Sequence, residues 1–211
     1  MKIRKWFIVG VMVALADFAS ASVTYGFYNI TNNNPDVAGQ LSVVLEDIGS
    51  GKVQFKFLNV GIVQSAIDAV YFDDLDTPIL TPFLVVDKDN YGDTSVDFEF
   101  GTASPPNLPG WNTVNPDFAA VAIESAGAVK NSDRVYPSNW LGIVFTASYD
   151  NVVSSLNDKS LRIGLHVQSI GTSGGSDSFV NNTCPVPAPG AILLAAMGTG
   201  LVGYLRRRTV I

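Results

Sequence analysis

The sequence predicts an all-β body, an antiparallel β-sandwich of jelly-roll type. Three observations lead there. Apolar residues alternate with polar ones at period two in several short segments. Clusters of Gly, Pro, Asn and Asp separate those segments at close intervals. Helical periodicity occurs in one short stretch only, so no helices alternate with strands as they would in a parallel α/β fold.

Taken in chain order, residues 23–28 give a first strand, and Leu41, Val43 and Leu45 alternate with Ser42, Val44 and Glu46 in a second. Val53, Phe55 and Phe57 against Lys52, Gln54 and Lys56 give a third. Ile48-Gly49-Ser50-Gly51 between these two reads as a hairpin turn, which makes them an antiparallel pair burying one face each. Residues 67–72 and 83–86 are shorter apolar runs, and Val96, Phe98 and Phe100 alternate with Asp97 and Glu99. Residues 118–123 and 140–147 are continuously apolar, as strands covered on both faces are. Leu161, Ile163, Leu165 and Val167 face away from Arg162, Gly164, His166 and Gln168. The one helix is expected at residues 149–157, with Val152, Val153 and Leu156 on one face and Asp150 capping its start. No internal repeat is visible.

The two ends differ from this body. Lys2, Arg4 and Lys5 precede an apolar stretch at 6–16, and Ala19-Ser20-Ala21 supplies small residues for a signal peptidase, so residues 1–21 read as a signal peptide cleaved after Ala21. At the other end a Pro-rich linker, 183–190, leads into an uncharged apolar run at 191–205, closed by Arg206, Arg207 and Arg208. Residues 191–211 are therefore expected to form a single C-terminal transmembrane helix of minimal length, with the arginines held on the cytoplasmic side and the body outside.

Between the ends lies one domain, residues 22–182, long enough to bury a core unaided. It must do so without an intramolecular disulfide, because the chain has a single cysteine, Cys184, in the linker. Charge is unevenly shared. Six of the 13 basic residues and one of the 19 acids lie in the targeting ends, which leaves the body with 7 basic and 18 acidic side chains and a net charge of −11. Such a surface repels nucleic acid and anionic lipid; calcium, cationic polymers or an extracellular matrix suit it better.

Val186-Pro187-Ala188-Pro189-Gly190, the apolar run and the arginine cluster together resemble the PEP-CTERM sorting signal of exported proteins of Gram-negative bacteria. The chain departs from that pattern at Ala188, where the usual motif has glutamate. The resemblance implies recognition by an exosortase-type membrane protease, followed by release or attachment of the body at the cell surface. In the body, Val70-Tyr71-Phe72-Asp73-Asp74, Asn107-Leu108-Pro109-Gly110, the segments at 141–145 and 161–168, and Ser178-Phe179-Val180-Asn181 are similar to a recurrent body of PEP-CTERM proteins that brings no catalytic residue with it.

The body's own chemistry is sparse. A Ser-His-Asp triad would have to use His166, the one histidine, which lies on the strand face opposite the apolar residues. Zinc sites of the His/Cys kind are excluded by count. Paired carboxylates for glycoside hydrolysis are available among Asp73, Asp74, Asp76, Asp97 and Glu99, though 18 acids in one domain make some proximity inevitable. Asp87, Asp89 and Asp93 occupy positions one, three and seven of a calcium-type loop with Gly92 at six, and Asp97 follows. Tyr91 at position five and Phe98 at twelve break the EF-hand pattern, and the same residue types also make an ordinary polar turn. Trp111 and Tyr91 are candidate stacking platforms for a glycan, with loop anchoring as the competing role for Trp111. The expectation is an exported, non-enzymatic structural protein of the cell surface or exopolysaccharide matrix. A calcium-supported glycan-binding module is the alternative, and a carboxylate hydrolase the third reading.

Overall fold

The structure, a computed structural model, describes residues 21–74, 78–89, 96–101, 108–109, 116–123, 128–131 and 139–186, without the side chains of 84–89. The elements are β1 (Ser22–Asn29), a short 3-10 helix (Ala38–Gln40), β2 (Leu41–Gly49), β3 (Lys52–Asn59), β4 (Ala66–Asp74), β5 (Thr81–Asp89), β6 (Phe98–Phe100), β7 (Phe118–Ala122), β8 (Val129–Lys130), β9 (Asn139–Thr146), α1 (Tyr149–Asp158), β10 (Leu161–Ile170) and β11 (Gly175–Asn181). All pairings are antiparallel, and the sheet runs β5-β9-β3-β2-β1-β11-β10-β4-β7-β6, with β8 added beside β4.

The all-β antiparallel expectation holds, in the form of a sheet that curls on itself. β1 is where it curls. Residues Ser22 to Gly26 pair with Glu46 to Ser42 of β2, and Phe27 to Asn29 then pair with Asn181 to Phe179 of β11. One strand thus belongs to both halves. Gly26 stands at the changeover, where an added Cβ would lie 3.2 Å from Asn182 Nδ2 and 3.8 Å from Val186, so a side chain there would push against the strand that closes the sheet.

Alternation sets which face is covered. In β3 every second residue, Val53, Phe55 and Phe57, is fully buried, and the hairpin to β2 turns through Gly49, Ser50 and Gly51, all with positive φ of 57° to 79°. Only glycine takes those angles freely, so the two glycines fix the turn and hence the register. β4 is buried on both faces. Ile67, Val70 and Phe72 enter the main core; Tyr71 and Ala69 join Leu108, Ala119 and Val180 in a second cluster on the outside of the sheet. Inside the curl, Phe72 meets Phe55 at 5.3 Å, Phe57 at 6.1 Å and Phe145 at 4.8 Å between ring centroids, all edge-to-face. These rings come from β3, β4 and β9 and hold the two halves of the sheet together.

Polar groups fasten the connections. Asn59, fully buried, donates through Nδ2 to the carbonyl and hydroxyl oxygens of Ser65, and Gln40 exchanges hydrogen bonds of 2.8 and 2.9 Å with the Val63 backbone. They anchor the crossing from β3 to β4, which would otherwise bury unpaired backbone. Asp177 fastens the connection after β1: its carboxylate accepts from the Thr31 hydroxyl at 2.7 Å and from the Asn33 and Asn34 amides at 2.8 and 2.9 Å. Burial alone would raise its pKa, but those donors outweigh burial and hold it below the usual carboxylate value.

Two sequence expectations need correction. The chain has β8 and β11 beyond the strands its apolar pattern announces, because β8 spans two residues and β11 carries Ser and Asp where alternation would call for apolar side chains. Ser148, not Asp150, occupies the N-cap of α1, with no side-chain capping bond, and Asp150 lies in the first turn, where it favours the positive end of the helix dipole. Val152 and Leu156 are buried as expected, with Val153 partly so.

Phe72→Ala is expected to cost about 3–5 kcal/mol, since it empties the centre of the aromatic cluster; urea unfolding of the full chain checks this, with Ile62→Ala, at a 94% exposed position, as the neutral control. Asp177 is a depressed carboxylate, so its stabilisation is complete above the ordinary carboxylate range near 4 and is lost as pH falls through the lower folded value. Asp177→Asn should therefore destabilise the protein at neutral pH and flatten the acid limb of its stability profile, read from unfolding midpoints between pH 2 and 7.

Candidate functional site

Few of the sequence-predicted site residues fall among the described ones. Asp87 and Asp89 lie in β5, with backbones paired to Leu141 and Asn139 of β9, so the first half of the calcium-type segment is strand, not loop. Asp97 is exposed just before β6. Asp93, Tyr91 and Trp111 lie outside the described residues, as do Ala19, Pro187, Ala188, Pro189, Gly190, Arg206, Arg207 and Arg208, and with them the expected signal peptide and C-terminal helix. Among the described residues no three His, Cys, Asp or Glu side chains form a group that could hold a metal ion.

Of the carboxylates considered for hydrolysis, Asp73 and Asp74 are engaged structurally. Asp73, 1% exposed, faces Arg162 across the β4–β10 pair and accepts from its Nε at 3.0 Å and also from Nη2. Its other oxygen, Oδ1, is buried without a hydrogen-bond partner. Asp74 accepts from the amides of Ile79 and Leu80 at 2.7 and 2.8 Å, yet its pKa is raised because burial outweighs those bonds. Glu99 is exposed on β6, and Asp76 lies outside the described residues.

His166 lies on the outer face of β10, as alternation predicts, and is part-buried there. Its Nδ1 is 2.8 Å from Asp68 Oδ1. Ser178 is its register partner on β11, and the Ser178 amide donates to the Thr31 hydroxyl at 2.9 Å. The same outer face carries Tyr71, whose hydroxyl burial pushes above its ordinary pKa, with Asp68 adding to the shift.

Among the described residues, polar groups also converge on a groove of about 240 Å³ where α1 runs into β10. Leu156 and Leu161 lie at its base, and Tyr28, Lys159, Arg162 and Asn182 line it further. Each reaches it for a local reason. Lys159 ends α1 in the left-handed conformation, φ 73°, which turns the chain straight into β10. Arg162 is the second residue of that strand, on the side opposite Leu161 and Ile163. Tyr28 is 49% exposed and pairs with Val180 of β11. Asn182 follows β11 and is held by a bond of 2.8 Å from its amide to the Gly26 carbonyl.

The chain's exit runs beside the same strand. After β11 it turns back through an exposed Cys184, and the Val186 amide donates to the Thr24 carbonyl at 2.7 Å, forming an isolated antiparallel bridge with β1. Val186, the first residue of the expected sorting motif, is thus fastened to the strand that begins the body. Sequence reading named none of Tyr28, Asp68 and Lys159 as site residues. Their neighbours are set by the β1–β11–β10–β4 pairing, and a single strand's alternation does not reveal its partners.

No protein-family model, curated protein or solved structure matches the chain.

Removing Asp73 alone takes the buried carboxylate from a part-buried guanidinium, whereas removing both partners removes the charge as well. Asp73→Leu is expected to destabilise the protein by about 3 kcal/mol, and the Asp73→Leu/Arg162→Leu double variant by clearly less. A double-mutant cycle in urea measures the difference.

Proposed function

We propose that this chain is an exported structural protein of the cell surface or exopolysaccharide matrix, sorted through its C-terminal signal, with the curled sheet as a sandwich-type body. In this reading the exosortase-type protease meets Pro187 to Gly190, the apolar run holds the chain in the membrane before processing, and Arg206 to Arg208 fix its orientation.

The Thr24–Val186 bridge supports this reading best. It joins the start of the body to the start of the motif, so the folded domain stands directly on the segment to be recognised, with Pro187 the first residue beyond the bridge. Proline has no amide hydrogen, so Pro187 brings no N–H donor with which to extend a ladder. The acidic body and the lone cysteine also agree with an extracellular module that folds by its core alone.

Intact mass of the protein from membrane, surface and medium fractions of its native host tests the proposal. The expected surface or medium species starts at Ser22 and ends between residues 185 and 190. With Arg206, Arg207 and Arg208 changed to Glu, that species should disappear. A wild-type protein found only in membranes with its arginines retained, or processing indifferent to the charge reversal, would overturn it.

A further inference from the structure

We infer that the groove at the end of α1 binds a carboxylate-bearing sugar unit, such as a hexuronate within an acidic polysaccharide. Its lining includes no residue of the acidic segment and not the tryptophan that the sequence brought forward.

Charge is the first argument. The body has 7 basic side chains against 18 acidic ones, and two of the seven, Lys159 and Arg162, line this one groove. An acidic protein repels anions over most of its surface, so an anion is retained only where local cations outweigh that field. Lys159 has no carboxylate partner among the described residues. Arg162 is committed to Asp73, and that pair fixes the guanidinium while leaving its side chain 27% exposed. The Asp73 carboxylate offsets the Arg162 charge, so the arrangement gives one available ammonium, that of Lys159, for a ligand carboxylate.

Shape and surface are the second argument. The volume, about 240 Å³, falls below the roughly 300–1,000 Å³ of sites for drug-sized ligands and suits a single ring. Tyr28 offers a half-exposed aromatic face to the C–H side of a pyranose, and the side chains of Asn182 and Thr183 offer donors and acceptors for hydroxyls. A bare phosphate would use Lys159 and leave Tyr28 idle. A neutral sugar would use Tyr28 and the amide and leave Lys159 idle. A sugar acid engages both. One ring in an open groove binds weakly, with a dissociation constant on the order of 1 mM, and repeated units of a polymer would raise retention by avidity. The surface-matrix reading supplies the setting in which such a ligand would be met.

The test is a titration of the full 211-residue chain in detergent solution with glucuronic acid, glucose and inorganic phosphate, followed by amide NMR shifts of residues 159–162 and 181–183. Glucuronic acid is expected to move these signals in the millimolar range, with glucose and phosphate each about tenfold weaker. Lys159→Gly is the informative variant. At φ 73° glycine is more at ease than lysine, so the fold is held or strengthened while the cation is lost. Affinity for glucuronic acid should fall about tenfold, and Tyr28→Val should weaken glucuronic acid and glucose alike. Equal binding of glucose and glucuronic acid, phosphate matching the sugar acid, an unaffected Lys159→Gly, or no shifts at all would each overturn the assignment. Tail processing is read separately by mass, so a protein that binds but is not sorted, or is sorted but does not bind, tells which proposal failed.

Discussion

Ring packing across the curl is the interaction on which the rest of the structure depends. A twisted sheet left open exposes one apolar face, and with a single cysteine no intramolecular disulfide can close this one. Phe72 of β4 reaches Phe55 and Phe57 of β3 and Phe145 of β9, so both halves share one desolvated centre. That centre fixes the distance between the halves. The outer features then take their places by alternation: Asp73, next to Phe72, must point outward to Arg162, and Tyr71 must point outward to Leu108 and Val180.

The aromatic core was legible because its residues obey period two within single strands. Val53, Phe55 and Phe57 announce a buried face, and Gly49 and Gly51 announce the hairpin beside it. β11 was not legible as a strand from alternation. Its inward Asp177 breaks the apolar pattern, and the donors that make its burial tolerable come from residues 31–34, about 145 positions earlier. A pattern within one strand carries no trace of such a partner. The groove was hidden for the same reason, since Tyr28, Lys159 and Arg162 meet only once β1 pairs with β11 and β11 with β10. The sorting motif lies at the opposite extreme, legible as sequence and, past Val186, outside the described residues.

An acidic composition invites a search for acidic function, and the structure redirects it. The three buried carboxylates among the described residues serve the fold: Asp73 orients an arginine, Asp74 caps backbone amides after β4, and Asp177 pins the connection after β1. They titrate in different senses, Asp74 raised by burial and Asp177 lowered by its donors. A carboxylate's neighbours therefore decide its role more than its count in the sequence does. Against so negative a background, the scarce cations are the informative charges.

The shared pairing of β1 also sets a timetable. A ribosome makes β1 first and β11 last, yet the second half of β1 has no strand to pair with until residues 179–181 exist. Phe27, Tyr28 and Asn29 must wait through some 150 residues of synthesis. Contacts so distant along the chain carry a large loop-closure entropy and slow the final closure to the millisecond-to-second range of non-local β folds. Until then the β2–β3 hairpin can form alone, but the barrel-like closure cannot. A chain that stays open until its last strand arrives remains threadable for the whole of its synthesis.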